Sequence, residues 1–314
     1  MKKRYLILAL VILSIASIFV GVKDISPLEI FNLTQDKVQI MVLSRIPRLI
    51  SIIVAGVGMS ISGLIMQQIT QNKFVSPTTA ATIDSAKLGI LVALILFSTS
   101  STFTKMLVSF AFALGGSFLF MAVLKKIKYK NAVIIPLLGI MIGNVINSVT
   151  TFFAYRYDLI QNISSWMQGN FSMVIKGRYE LLYISIPLLV IAFLYANKFT
   201  LAGMGEDFSV NLGLNYNRVV NIGIAIVALI SSIVVITVGQ IPFLGLIVPN
   251  IVTMQNGDNL KKNILPTGLF GAIFLLVCDI LGRLIIYPYE ISIGLTVGVI
   301  GSCIFLYLLF RRNA

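Results

Sequence analysis

The stretch Leu201-Ala-Gly-Met-Gly-Glu-Asp-Phe-Ser-Val-Asn-Leu-Gly-Leu-Asn-Tyr-Asn-Arg218 differs from the sequence on both sides of it, which is strongly apolar. It contains three glycines and two adjacent acids, and its apolar residues are too sparse to span a bilayer. Gly213 can end a short helix over residues 209–213, and Gly203 and Gly205 favour a turn before it. We predict two short helices lying across one membrane face. This loop, residues 200–218, is either a solvated connector or a docking element.

The composition of the whole chain indicates a membrane protein. Of its 314 residues, 58% are hydrophobic and 11% are charged, whereas a soluble domain carries roughly 25% charged residues. The net charge of +13 is spread in small clusters between apolar runs, which is typical of a membrane protein and not of a nucleic-acid partner. Histidine is absent, and both cysteines lie within apolar runs. The sequence therefore predicts no metal site, no catalytic residue and no cofactor.

Ten apolar segments predict an all-α polytopic membrane protein that forms one domain over residues 1–314. The predicted helices are 5–22, 47–68, 79–97, 106–124, 132–155, 181–196, 219–238, 241–254, 264–286 and 292–310. The first segment is longer than the apolar core of a signal peptide, so we expect it to remain as a helix. Residues 23–44 are predicted to be a polar loop.

The segment 241–254 is the difficult one, because it is short and contains Pro242 and Pro249. Its length alone favours a re-entrant segment. The distribution of basic residues favours a crossing, since Arg218 and Lys261 both lie on the basic side only if the chain crosses twice between them. We therefore predict ten crossings of a bacterial cytoplasmic membrane, with both termini and the loop 200–218 in the cytoplasm.

Small residues in the second predicted helix indicate close packing against another helix. Gly56, Ser60 and Gly63 recur at spacings of four and three, which places them on one face. Residues 62–66 (Ser-Gly-Leu-Ile-Met) also resemble residues 244–248 (Leu-Gly-Leu-Ile-Val). This similarity is a faint sign of an internal repeat.

Polar residues inside two predicted helices are candidates for a transport pathway. In the third helix, Asp84 and Lys87 stand one turn apart and form either a structural ion pair or part of a pathway. The fifth helix carries a polar stripe on one face, which serves either hydrogen bonding between packed helices or a pore. The stripe consists of Asn144, Asn147, Ser148 and Thr151.

Two arginines stand where a membrane helix does not favour them. Arg45 and Arg48 flank Pro47 at the predicted outer start of the second helix, where each cation opposes the helix macrodipole by roughly 0.3–1 kcal/mol. They also depart from the preference for basic residues on the cytoplasmic side. A compensating group is therefore expected, and lipid headgroups are one source of it.

Several motifs occur in order along nearly the whole chain. They are Arg45-Ile-Pro-Arg48, Ser62-Gly63 with Gln67, residues 72–77, Gly205 with Asn211-Leu-Gly213, Phe243-Leu-Gly-Leu-Ile-Val-Pro249, Gly257-Asp258, Asp279 with Arg283, and Glu290 with Gly294. Together they resemble the FecCD family, the permeases of iron–siderophore and vitamin B12 ABC importers.

The resemblance implies a type II ABC importer permease that pairs with a second permease subunit, as a homodimer or heterodimer. The loop 200–218 would contact a separate cytoplasmic ATPase through Gly205, Glu206, Asn211, Leu212 and Gly213. An extracytoplasmic binding protein or lipoprotein would place its acidic residues on Arg45, Arg48 and Arg283. The translocation pathway would include Gln67, Asp84, Lys87, Asn144, Asn147, Ser148 and Thr151.

Some positions depart from the family pattern and bear on the cargo. The family has glycines and small residues where this chain has Thr78, Ala81 and the Asp84–Lys87 pair, and it has Gly and His where this chain has Pro242 and Asn250. These departures disfavour cobalamin. The Asp84–Lys87 variant resembles permeases for catecholate or mixed catecholate–carboxylate siderophores, such as the petrobactin and anguibactin systems. A ferric siderophore is therefore the expected cargo.

An ion-coupled secondary transporter is the alternative function. Such a carrier needs an acid at the midplane, and Asp84 could serve, although Lys87 would compete with the coupling cation. The chain has no Gly-x-x-x-x-Gly-Lys-Ser/Thr loop, so we expect ATP hydrolysis on another chain and no enzymatic activity in this one.

Overall fold

The computed structural model describes residues 2–21, 34–77, 81–127, 134–175 and 179–312. These residues form thirteen α-helices with short π- and 3₁₀-helical segments, which confirms the predicted all-α fold. The helices are α1 (Lys3–Phe19), α2 (Gln35–Ile40), α3 (Ile46–Thr70), α4 (Thr82–Leu96), α5 (Thr102–Lys126), α6 (Ile134–Arg156), α7 (Ile160–Met167), α8 (Ser185–Ala202), α9 (Glu206–Asn211), α10 (Tyr216–Val238), α11 (Leu244–Asn256), α12 (Leu260–Leu284) and α13 (Ile293–Arg312).

Ten of the described helices alternate in direction between two ends of the molecule, and they correspond to the ten predicted crossings: α1, α3, α4, α5, α6, α8, α10, α11, α12 and α13. We call the end that holds Arg48, Arg283 and Glu290 the arginine end. The opposite end, which holds residues 203–215, is the loop end. Because α1 finishes at the arginine end and α13 leaves it, the start of α1 and the end of α13 both lie toward the loop end.

Length and composition identify six helical stretches of the described chain as able to cross a membrane, with Ile293–Leu308 as a shorter apolar helix. The six are Gln35–Thr70, Thr102–Leu124, Leu137–Arg156, Glu180–Ala202, Tyr216–Val238 and Leu260–Leu284. α1, α4 and α11 are shorter, at 17, 15 and 13 residues. α11 lies within the segment 241–254 for which the sequence predicts a short crossing.

The predicted polar loop at 23–44 is wrong over residues 35–44. α2 leads through a π-helical segment, Met41–Arg45, directly into α3. No glycine or proline interrupts residues 35–46, and the wider π turns lie immediately before Pro47, which has no N–H to donate. A continuous helix therefore reaches beyond the predicted start of the second crossing. Residues 22–33 lie outside the described part of the chain.

α3 is the most enclosed helix and makes the close contacts that its small residues predict, which confirms that prediction. A Cβ added to Gly56 would lie 2.7 Å from the Cα of Ala272 on α12. A Cβ added to Gly63 would clash with the carbonyl oxygen of Gly245 on α11. Pro249 has no N–H for that carbonyl, so α11 lacks one i to i+4 hydrogen bond at the point where Gly63 comes closest. The two similar segments 62–66 and 244–248 thus pack against each other.

Candidate functional site

Arg48 binds two carboxylates from the far end of the sequence. Its Nε and Nη2 atoms donate to Asp279 Oδ1 at 3.2 and 2.8 Å, and its Nη1 atom donates to the two carboxylate oxygens of Glu290 at 3.1 and 2.8 Å. Asp279 belongs to α12, and Glu290 lies in the loop before α13. The Asp279 side chain is 2% exposed and the Glu290 side chain is 25% exposed. The cation at the start of α3 is therefore neutralised within the chain.

Two further arginines bind the C-terminal end of α1. Arg283 donates to the Val20 carbonyl oxygen at 2.6 Å and also lies 2.6 Å from Asp279 Oδ2. Arg45 donates to the Ile18 carbonyl oxygen at 2.5 Å. The last carbonyls of a helix lack intrahelical partners and carry partial negative charge, so arginines are favourable there.

The expected compensation of the arginines is thus confirmed, and its source lies within the protein. Asp279, Glu290 and the carbonyls of α1 supply it. Arg45 and Arg283 are buried, at 9% and 5% exposure. The sequence places Arg283 near the other two arginines, and the structure does the same through Asp279.

A polar cavity of about 540 Å³ opens beside these arginines. Its walls include the three arginines and Glu290, together with the polar residues Asp36, Gln39 and Ser44 of the α2–π segment. Burial raises the pKa of Glu290, but the Arg48 guanidinium and a hydrogen bond from the Ser172 hydroxyl outweigh it and hold the pKa below its ordinary value. Glu290 is therefore a carboxylate near neutral pH.

The acid and base of α4 both reach α6, but they do not share a bond. Lys87 Nζ donates to Asn147 Oδ1 at 2.7 Å. The Asp84 carboxylate packs so closely against Gly143 that a Cβ there would clash with it. None of the salt bridges within the described chain joins Asp84 to Lys87. The Asp84–Lys87 ion pair, one of the two predicted alternatives, is therefore not formed.

The polar stripe of α6 continues outward from these contacts. At 100° per residue, Gly143 and Asn147 face α4, and Thr151, Asn144 and Ser148 follow around a polar arc of roughly 140°. The last three residues are exposed, and the Ser148 hydroxyl donates to the Asn144 carbonyl oxygen of its own helix at 2.8 Å. Only the Asn147 edge of the arc therefore bonds to another described helix.

Gln67 lies apart from the α4–α6 residues, although the sequence groups them in one pathway. It is 5% exposed, and its Nε2 atom donates to the Leu246 carbonyl oxygen of α11 at 3.1 Å. Its side chain also lines a cavity of about 510 Å³ at the loop end. The structure therefore separates Gln67 from Asp84 and Lys87.

The loop end carries one short helix, α9, where the sequence predicts two. α9 covers Glu206–Asn211, begins after Gly205 at φ 109° and is followed by Gly213 at φ 79°. Gly213 thus takes the predicted left-handed conformation, although the helix ends earlier than predicted. The predicted loop 200–218 is also shorter, because α8 continues to Ala202 and α10 begins at Tyr216.

α9 is an apolar surface with acids at its N-terminus. Met204, Phe208, Val210 and Leu212 are each between 47% and 58% exposed. Glu206 and Asp207 occupy the first turn, where negative charge is favoured by the helix dipole. Exposed apolar side chains on a loop of this kind are typical of a surface that a partner protein covers.

Two glutamines at the end of α3, which the sequence analysis did not single out, reach this loop. A Cβ added to Gly203 would clash with the Gln68 amide, and one added to Gly205 would lie 3.5 Å from Gln71 Nε2. Gln68 belongs to the last turn of α3 and Gln71 directly follows the helix, so their position next to a predicted helix end was the available signal. α3 therefore extends from the arginine network to the loop beside α9.

An ion pair between Lys73 and Asp258 closes the same end. Lys73 also donates to Thr253 Oγ1 at 3.3 Å, and Asn250 Nδ2 donates to the Lys73 carbonyl oxygen at 2.8 Å. The pair lines the 510 Å³ cavity and a neighbouring one of about 320 Å³. Lys73 and Asp258 both belong to motifs that the sequence analysis names. The positions of these motifs along the chain do not show that the two residues pair. Across the residues described, no three His, Cys, Asp or Glu side chains come together as a metal site.

A ten-helix bundle with internally paired arginines at one end and an apolar surface helix at the other is the architecture of a membrane permease. A model of the FecCD transport family matches residues 8–311, and the chain belongs to that family. It is a permease subunit of an ABC importer, a multi-pass protein of the bacterial cell membrane, and not itself an enzyme. Such a permease works with an ATPase and a binding protein.

Particular relatives cover the whole chain. It is 63% identical over 314 residues to the petrobactin import system permease protein YclN of Bacillus subtilis, covering 100% of this chain and 99% of that protein. It is 36% identical over 309 residues to the ferric-anguibactin transport system permease protein FatD of Vibrio anguillarum, covering 98% of each. Its fold is similar to a solved inward-facing metal-chelate type ABC transporter, with a TM-score of 0.87, 21% identity and 98% of each chain covered.

Proposed function

We propose that this chain carries a ferric siderophore of the petrobactin type across the bacterial cell membrane. The observation that carries the proposal is the 63% identity, over the full length, to a protein named as a petrobactin import permease. Sequence departures at Asp84 and Lys87 independently favour a siderophore over cobalamin.

Uptake of a panel of labelled chelates tests the cargo. A strain that lacks this gene would receive the gene back and be given ferric petrobactin, ferric anguibactin, ferric citrate and cobalamin. We expect ferric petrobactin uptake to be restored, and cobalamin uptake to remain at the level of the empty strain. A matched strain without the ATPase should take up nothing; uptake that persists there would favour an ion-coupled carrier instead.

The loop end is proposed to face the cytoplasm, together with both termini. Its basic residues support this orientation, since Lys198, Arg218 and Lys261 all flank the loop end. Single cysteines at Met204 and Tyr289, in a chain whose Cys278 and Cys303 are changed to serine, provide a matched pair of exposed positions. A thiol reagent that does not cross membranes should label Tyr289→Cys in intact cells and Met204→Cys only after lysis. The reverse pattern would invert the topology.

The proposed ATPase contact is the loop 200–218, with Gly205, Glu206, Asn211, Leu212 and Gly213 at its centre. The apolar exposure of α9 supports this proposal, because the ATPase would cover Phe208 and Leu212. The glycines support it as well, since a residue without a Cβ allows close backbone approach. Crosslinking from Leu212→Cys to the ATPase is expected, while Tyr289→Cys serves as the negative control.

The arginine end is proposed to receive the binding protein, with Arg45, Arg48 and Arg283 as its cationic residues. The 540 Å³ cavity supports this role, because it gives an acidic side chain access to Arg48. Arg48→Gln should weaken docking of the binding protein to permease–ATPase complexes in nanodiscs, and reversal of an acid on the partner should alter that loss. Unchanged affinity would contradict the role of Arg48.

The polar arc of α6 and the α4 residues beside it are proposed to line the translocation pathway, next to a second permease subunit. The exposure of Asn144, Ser148 and Thr151 supports this, because lipid is a poor neighbour for polar side chains. Gln67 is proposed to border the inner part of the same route. Asp84→Asn and Lys87→Gln should change the preference between chelates of different charge in opposite directions, whereas Asn147→Ala removes the hydrogen bond to Lys87 and keeps both charges. Unchanged preference in all three would indicate a structural role.

A further inference from the structure

Arg48 is shared by two carboxylates that differ in how firmly they are held. Asp279 receives Nε and Nη2 of Arg48, is 2% exposed, and is held from its other side by Arg283. Glu290 receives only Nη1, is 25% exposed, and stands on a loop at the edge of the 540 Å³ cavity. The second carboxylate is therefore the one that can leave without breaking the core.

We propose that Glu290 is an internal stand-in for a carboxylate of the binding protein. When the partner docks, its acidic side chain takes the place of Glu290 on Arg48 Nη1, and Glu290 turns into the solvent. The inference rests on the proposed docking role of the arginine end and adds the residue that regulates access to it. The partner chemistry that fits is a single aspartate or glutamate that enters the cavity.

The charge balance of the cavity favours exchange over simple addition. Arg48 already pairs with Glu290 and with the buried Asp279, Arg283 pairs with Asp279, and Asp36 adds a third acid to the cavity lining. A carboxylate that entered while Glu290 stayed would meet like charges at close range, which is unfavourable. Exchange keeps the number of charge-assisted hydrogen bonds on Arg48 constant.

The same arrangement explains why a stand-in is useful between docking events. Arg48 is mostly buried, with 13% of its side chain exposed, and a buried cation without its partners is strongly destabilising. Ser172, from the segment after α7, donates its hydroxyl to Glu290 and keeps the carboxylate in position. The undocked permease thus keeps Arg48 satisfied, and the binding protein has to compete for it.

The test is the affinity of the importer's own fluorescently labelled binding protein for the permease–ATPase complex in nanodiscs. Glu290→Gln should bind about tenfold more tightly, because a charged carboxylate no longer competes for Arg48 Nη1. Ser172→Ala should bind more tightly by a smaller factor. Asp36→Asn is the matched control: it removes an exposed acid from the same cavity that does not bond Arg48, and we expect a change of roughly twofold or less.

The outcomes separate this inference from the docking proposal. If Arg48→Gln weakens binding but Glu290→Gln leaves it unchanged or weaker, the stand-in is wrong and docking at Arg48 stands. If neither variant alters affinity, the docking proposal fails as well. An equal gain in Asp36→Asn and Glu290→Gln would show a general charge effect and overturn the exchange. Should Glu290→Gln not fold, Glu290→Asp shortens the reach to Arg48 while keeping the charge, and it should also tighten binding.

Discussion

α3 connects the arginine end to the loop end, and the two ends differ in how far their side chains are paired or covered within the chain. At the arginine end, charged groups are paired within the chain, and Arg48 alone makes four hydrogen bonds to two carboxylates. At the loop end, α9 leaves apolar side chains about half exposed and without a cover from the described chain. The charges of the arginine end are therefore paired without a partner protein, whereas the apolar side chains of the loop end remain exposed.

This difference fits two kinds of partner. Permanent interfaces resemble a protein core and bury apolar surface, whereas transient ones depend more on complementary charge and fast association. The loop end therefore suits a subunit that stays bound, and the arginine end suits one that arrives and leaves. The predictions below begin with the change of largest expected effect.

The first prediction concerns Gly213, whose φ of 79° a β-branched residue does not adopt readily. Gly213→Val should displace α9 and reduce uptake at least about fivefold, because backbone strain of this kind costs roughly 1–3 kcal/mol. Gly213→Asn is the matched control, since asparagine tolerates this conformation. Uptake and ATP hydrolysis would both be measured in proteoliposomes with the ATPase and binding protein present. Normal uptake by the valine variant would remove the coupling role from this loop.

The second prediction measures how much the arginine end contributes to stability. Arg283→Gln leaves Asp279 half-paired and removes the cation from the Val20 carbonyl of α1, so it should lower the unfolding free energy by roughly 3–5 kcal/mol. Arg48→Gln should cost less, because one of the two carboxylates that it leaves, Glu290, is partly exposed and can be solvated. Thermal unfolding of the two variants in the same detergent would rank them. The opposite ranking would contradict the prediction that Arg283 contributes more to stability than Arg48.

The third prediction compares the salt dependence of the two interfaces. Binding-protein affinity at the arginine end should fall as the salt concentration rises, since exposed charge interactions are screened. ATPase association through α9 should change little, because apolar burial is not screened. Both affinities can be titrated on one nanodisc preparation. If binding-protein affinity did not change with the salt concentration, the charged residues of the arginine end would act only within the permease.

The smallest expected effect follows from the lowered pKa of Glu290. A carboxylate whose pKa is lowered on folding stabilises the protein above its ordinary pKa, and this contribution is lost as pH falls through the lowered value. The thermal stability of the wild type should therefore approach that of Glu290→Gln in acid, by roughly 0.2–1 kcal/mol. Arg48, Arg283 and Ser172 are the groups that act on Glu290, so Ser172→Ala should reduce the difference.

The fold was predictable because apolar length and basic flanks define membrane helices with few alternatives. The predicted segment 241–254 contains the helix α11, although its crossing of the membrane stays a prediction. The continuous helix from Gln35 to Thr70 was not predicted, because Pro47 and its charged neighbours look like a helix start. A π-helical segment before a proline has no sequence signature of its own.

The candidate sites were predictable as residues but not as contacts. Spacing identifies Asp84 and Lys87 as neighbours, yet Lys87 bonds to Asn147, 60 positions away. Arg48 likewise finds Asp279 across 231 positions. Partners this distant depend on which helices become adjacent, and a single sequence carries no direct record of that.

The contact between Gly63 and Gly245 gives α3 unequal arms. Seventeen positions separate Gly63 from the first residue of α3 and seven separate it from the last, which at 1.5 Å per residue gives arms of about 25 and 10 Å. If α3 tilts as a rigid rod about this backbone contact, it acts as a lever with its fulcrum near the loop end. A small displacement beside α9 is then magnified about twofold at Arg48, and in the opposite direction.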